Sequence, residues 1–86
     1  MRKISSIGQL KHEACGGADF ALLLKHGLFS RKTIAYDGHA KIFSVWNHID
    51  DTRDELTEEA LENTSCTNIG KAIRAGAFAK YEEETA

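Results

Sequence analysis

Residues 42–62 read IFSVWNHIDDTRDELTEEALE, and the change of pattern inside this stretch decides the fold class. Over residues 42–49 the chain alternates. Phe43, Val45 and Ile49 fall on one side and Ser44 and His48 on the other, the two-residue period of a strand with one buried face. Trp46 shares the parity of Ser44, and its size predicts a core residue packed beneath a helix. After Ile49 the alternation stops. Thr52 with Glu55, and Thr57 with Glu58 and Glu59 behind it, are helix-start signatures, and Leu56 and Leu61 stand at the spacing of a hydrophobic staple around the second. One or two helical turns are therefore expected within residues 52–63.

Upstream, residues 31–36 alternate as a second strand with Ile34 and Tyr36 on one face, and Asp37-Gly38 supplies the positive-φ pair of a hairpin turn. Residues 20–24 are a continuous apolar run between Gly17 and Gly27, of strand length. Ser6 with Gln9 forms a capping box, Ile7, Leu10 and Ala14 follow at helical spacing, and Gly16-Gly17 ends that helix. Downstream, residues 63–67 are a polar break. Thr67 or Asn68 then caps a helix carrying Ile69, Ala72 and Ile73, closed by Gly76, after which Phe78 returns to the core. The expected fold is α+β: a three-stranded antiparallel sheet packed on one side with three or four short helices. It forms one domain over residues 1–80, with residues 81–86 a frayed acidic tail.

Eighty-six residues suit one domain that buries roughly 60–65% of its unfolded surface, with little room for a deep active site. Residues 1–13 are basic without the apolar segment of a signal peptide, and no apolar run is long enough to span a bilayer, which predicts a cytoplasmic protein that does not engage a membrane. Cys15 and Cys66 are far apart and form no CxxC, so they read as reduced thiols, Cys15 half-buried in a structural role.

No constellation spells out a reaction, and the expectation is no enzyme, no cofactor and no metal site. His12-Glu13 begins an HExxH motif, but Gly16 stands where its second histidine belongs. His12 and Cys15, three residues apart, could face one another at a helix end, where a structural cysteine is the simpler reading. Asp37, His39, His48, Asp50 and Asp51 are hard-metal ligand types whose spacing matches no ligand signature. Lys25, His26, Arg31, Lys32 and Lys41 could make a basic hairpin for nucleic acid, with Tyr36 or Trp46 as a stacking platform. A pI near 6.0 argues against it, since solvated lysines also blunt exposed strands.

The strongest signal is charge. Residues 1–49 carry seven cations and three carboxylates, residues 50–86 four cations and ten, so a formal net charge of -2 hides a dipolar chain. Seven carboxylates, Asp50, Asp51, Asp54, Glu55, Glu58, Glu59 and Glu62, are answered within residues 50–62 by Arg53 alone. On a helix, Asp54 with Glu58, Glu55 with Glu59 and Glu58 with Glu62 are like-charged i,i+4 pairs costing about 0.2–0.5 kcal/mol each. A solvated face tolerates that cost. A functional reading is that carboxylates about 5–6 Å apart imitate phosphates and enter a Lys/Arg groove built for nucleic acid.

The stretches WNHIDDTRDELTEE (46–59) and TNIGKAIRAGAF (67–78) resemble segments of small phage and mobile-element proteins, among them anti-CRISPR inhibitors of type I CRISPR systems. The resemblance covers the second half of the chain and contains no catalytic signature. It implies a non-enzymatic inhibitor in the host cytoplasm that binds a subunit of the RNA-guided surveillance complex, in several such proteins through an acidic face competing with target DNA. Carried to this chain, that face is Asp50, Asp51, Asp54, Glu55, Glu58, Glu59 and Glu62. Many DNA mimics are acidic throughout, whereas this chain has a positive first half, which leaves simple surface blocking open. Direct binding to nucleic acid is not expected. The rival readings are a small regulatory or structural phage protein that homodimerises through its sheet edge, a nucleic-acid module using the basic hairpin, and a small metal-dependent enzyme. The sequence sets no oligomeric state.

Overall fold

A computed structural model of the protein describes residues 2–63 and 69–81. The elements in chain order are β1 (Arg2–Lys3), α1 (Ile7–Glu13), β2 (Ala18–Leu23), β3 (Phe29–Asp37), β4 (Ile42–Asn47), β5 (Thr52–Thr57), α2 (Glu58–Asn63), α3 (Ile69–Arg74) and β6 (Phe78–Lys80). The strands form one antiparallel sheet in the order β1-β6-β2-β3-β4-β5. The α+β class and the helices on one side stand as expected. The sheet has six strands instead of three, and three helices are present among the described residues.

Strand alternation puts Phe20, Ile34, Phe43, Val45 and Phe78 on the helix-covered face, where they meet Leu10 and Ala14 of α1, Leu61 of α2 and Ile69, Ala72 and Ile73 of α3. The Phe20 and Phe78 rings stack with centroids 5.5 Å apart across β2 and β6. Burying those rings turns a three-residue segment into the strand β6. The helices are held at their ends as the sequence signals: Ser6 Oγ accepts from Gln9 N at 3.1 Å. Gly76, at φ 72, closes α3 with its own N–H on the Ile73 carbonyl and that of Ala77 on Ala72, a paired motif only a left-handed residue completes. The caps expected at Thr67 and Asn68, the polar break after Asn63, Cys66 and the tail beyond Tyr81 lie outside the described residues.

Three expectations are corrected. Residues 52–57 are a strand, not helix: their backbone pairs with β4 along its whole length, Asn47 opposite Thr52 and Ile42 opposite Thr57. Helix begins only at Glu58, where Thr57 Oγ1 accepts from Ala60 N at 3.1 Å as the second start signature requires. The β3–β4 turn spans residues 38–41, with the left-handed residue at Lys41 (φ 56) and not at Gly38. Asp37 Oδ1 holds that turn by accepting from the backbone of His39 and Ala40. Trp46 is half-buried on the uncovered face of the sheet, because the helices among the described residues pack on the Phe43 and Val45 side.

Candidate functional site

The sheet face away from the helices carries Asp19 of β2, Arg31, Thr33 and Ala35 of β3, Ser44 and Trp46 of β4, and Arg53 and Glu55 of β5, as their cross-strand partners require. A polar chain crosses it. Arg31 pairs with Asp19 and lies 4.9 Å from the Tyr81 ring centre. Thr33 Oγ1 lies 2.7 Å from Asp19 Oδ1 and 2.7 Å from His48 Nε2. The His48 ring in turn lies tilted against Trp46 at 4.0 Å between ring centres, Arg53 sits 4.8 Å from the Trp46 ring, and Trp46 Nε1 donates to Asp51 Oδ1 at 2.8 Å.

The proton positions in this chain follow from charge. The Thr33 hydrogen bond and the Arg31 guanidinium hold the Asp19 carboxyl below the usual range, so it is an ionised acceptor and the Thr33 hydroxyl donates to it. His48 Nε2 must then carry hydrogen and donate to Thr33. An imidazole nitrogen that donates cannot take the hydroxyl proton, so Thr33 and His48 are not a nucleophile and base in this arrangement. Two shallow hollows flank the network. One, of about 480 Å³, lies over the small floor of Ala35 and Ser44 between Trp46, Arg53 and Glu55. The other lies over Gly16 and Gly17 beside Asp19 and Tyr81.

The acidic residues singled out by the sequence lie along the outer edge of the sheet. Asp50 and Asp51 form the β4–β5 turn, Asp54 and Glu55 sit on the edge strand β5, and Glu58 and Glu59 open α2; all six are exposed. Glu62 falls on α2, and its side chain lies outside the described residues. The helical i,i+4 spacing expected of Asp54, Glu55, Glu58 and Glu59 is absent, because Asp54 and Glu55 point to opposite faces of a strand. Two of the carboxylates serve the turn itself. Asp50 Oδ1 accepts from both N and Oγ1 of Thr52, which lowers its pKa, and Asp51, at φ 54, anchors Trp46. Glu58 pairs with Lys11 of α1.

The rival constellations are dispersed. Lys32 is buried on the helix side of the sheet with its pKa lowered by desolvation, Arg31 is engaged on the other face, and Lys41 is in the turn at the opposite end from His26. The Lys25 side chain lies outside the described residues. Asp37 and His39 are separated from His48, Asp50 and Asp51 by the length of β4, about 20 Å at strand rise. Among the described residues no three His, Cys, Asp or Glu side chains converge to hold a metal, and Cys15 is exposed instead of half-buried. No helix among them is long and apolar enough to cross a membrane. The Asp19–Thr33–His48 network escaped the sequence reading, although Thr33, Trp46 and His48 share the parity opposite the core residues Ile34, Phe43 and Val45. Compared with family models, curated proteins and solved structures, the chain matches none.

Proposed function

We propose that this chain is a non-enzymatic binding protein whose acidic sheet edge occupies a basic, nucleic-acid-binding surface of a partner protein and blocks it, as an anti-CRISPR inhibitor of a type I system would. The observation that carries the reading is the alignment of Asp50, Asp51, Asp54, Glu55, Glu58 and Glu59 along the turn, edge strand and helix start of one side, with the intervening cation Arg53 drawn over the Trp46 ring. That geometry favours electrostatic blocking by an edge over a regular copy of phosphate spacing, since the carboxylates of β5 alternate between faces. The aromatic groups favour it too. Trp46 is packed by His48 and Arg53 and Tyr36 by Phe43 and Lys11, so neither offers a bare ring to a base.

The test is displacement of a labelled target duplex from a purified type I surveillance complex, followed by fluorescence anisotropy. Displacement that weakens with salt and is lost when Asp54, Glu55, Glu58 and Glu59 are reversed to lysine is the expected result. No displacement, or equal displacement by the reversed variant, overturns the proposal.

A further inference from the structure

We propose that two copies of this chain associate end to end through an apolar plate at the hairpin end of the sheet. The large hydrophobic side chains left exposed among the described residues are Leu23, Leu24, Leu28 (64%), Phe29 and Ile49 (72%), and all five lie at that end. Register places them. Leu23 pairs with Phe29, and Leu24 N donates to the Leu28 carbonyl at 2.9 Å, closing the hairpin over the left-handed His26 and Gly27. His48 N donates to the Arg31 carbonyl at 3.3 Å, which sets the β4–β5 turn and its Ile49 beside the start of β3. At a strand spacing of about 4.8 Å these groups form one row across the end of the sheet. Single exposed leucines are ordinary on a monomer; a cluster confined to one end marks a contact surface.

The flanks of the row identify the occupant. On the β6 side, Lys71 lines a hollow with Leu22, Leu23 and Leu24, and Lys3 Nζ stands 3.3 Å from where Gly76 would carry a Cβ. On the β5 side stand Asp50 and Asp51. An anionic lipid surface would meet two carboxylates beside the apolar row. A second copy meets its own complement: a two-fold axis crossing the row sets the Lys3 and Lys71 flank of one copy on the Asp50 and Asp51 flank of the other, with the leucines between. The contact shares Asp50 and Asp51 with the proposed acidic edge but makes no use of Glu55, Glu58 and Glu59, which lie toward the other end of the sheet.

Sedimentation equilibrium of the full chain from about 1 μM to about 1 mM tests it, a range that reads affinities across those decades. The expected result is a mass rising from 9.5 kDa toward twice that value, with weaker association at higher salt. Leu28→Ser and Ile49→Ser should each weaken association at least about tenfold, and Lys71→Glu should weaken it as well. Circular dichroism reports folding; should Leu28→Ser unfold, the Ile49 and Lys71 variants, placed on separate elements, decide the matter. A chain that stays monomeric throughout overturns the proposal, as does wild-type association by the folded variants. So does a monomer that instead binds vesicles of phosphatidylcholine and phosphatidylglycerol.

Discussion

Asp51 accepts a hydrogen bond from Trp46 Nε1 at 2.8 Å while holding a left-handed backbone at φ 54, so one residue both turns the chain from β4 into β5 and anchors the indole on the uncovered sheet face. Trp46 is half-buried there, with His48 and Arg53 as its neighbours. Trp46→Ala should therefore cost about 1–2 kcal/mol, below the ~3–5 kcal/mol of a fully enclosed aromatic. Asp51→Gly relieves the backbone while losing the bond and should be nearly neutral. Asp51→Val loses the bond and adds left-handed strain, at about 2 kcal/mol in all. Chemical denaturation of the three variants checks this order; a Trp46→Ala loss of 4 kcal/mol would place the indole in the core instead.

Acid should unfold the protein partly through Asp19 and Glu13. The Asp19 carboxyl is held low by Thr33 and Arg31, and that of Glu13 by its hydrogen bond to Lys80 and the charge of Arg2. A depressed folded pKa contributes stability that is fully present above the unfolded value near 4 and lost as pH falls through the folded value. Thermal melts should therefore fall as pH drops below about 4. Asp19→Asn should melt lower at pH 7 and show a shallower acid decline; an unchanged decline would assign acid unfolding to other carboxylates.

Lys32 is only 4% exposed, on the central strand β3, and its pKa is lowered by desolvation, with Asp50 partly opposing. Its ammonium is carried at a cost, so Lys32→Met should raise stability at pH 7 by about 1 kcal/mol, as replacing a buried charge by an apolar group of like volume often does. The sign with pH follows from the depressed pKa: the unfolded chain binds the proton more tightly, so wild-type stability gains on the variant as pH rises from the folded value toward about 10.4. Paired melts at pH 7 and pH 10 read both effects. A variant less stable than wild type at pH 7 would show that the Asp50 attraction outweighs burial.

Reversal of Asp54, Glu55, Glu58 and Glu59 to lysine should leave the fold intact, because all four side chains are exposed and the Lys11 pair that Glu58 gives up is worth about 1 kcal/mol or less. Its far-ultraviolet circular dichroism should match wild type. Wild type should not shift duplex DNA in a gel at physiological salt, since non-specific binding needs cation–phosphate contacts that the dispersed lysines and arginines do not assemble. Micromolar, salt-sensitive binding would reinstate the basic hairpin as a nucleic-acid surface.

The elements legible in the sequence are those with a strong local period or a cap. Ile7–Glu13 follows its capping box, Phe43 and Val45 alternate into the core, and Gly76 ends α3 as its left-handed φ requires. Residues 52–57 misled because Thr52 and Glu55 form a plausible local helix start, whereas the backbone pairing of β4 with β5 is a long-range gain that no local signature reports. The acidic run was legible as composition, and its placement along a sheet edge was not.

The sequence by itself determined the α+β class, the helix ends at Ser6, Thr57 and Gly76, the core parity of Ile34, Phe43 and Val45 and the concentration of negative charge after Ile49, since each follows from contacts within a few residues or from a simple count. Only the tertiary structure decided that Phe78 opens a sixth strand between β1 and β2, that Trp46 looks outward, and that Asp19 of β2, Thr33 of β3 and His48 of the β4–β5 turn meet. Those outcomes depend on which strands become neighbours and which face the helices cover. Both are set by burying the Phe20, Phe43 and Phe78 side chains together, a cooperative choice made by the whole chain.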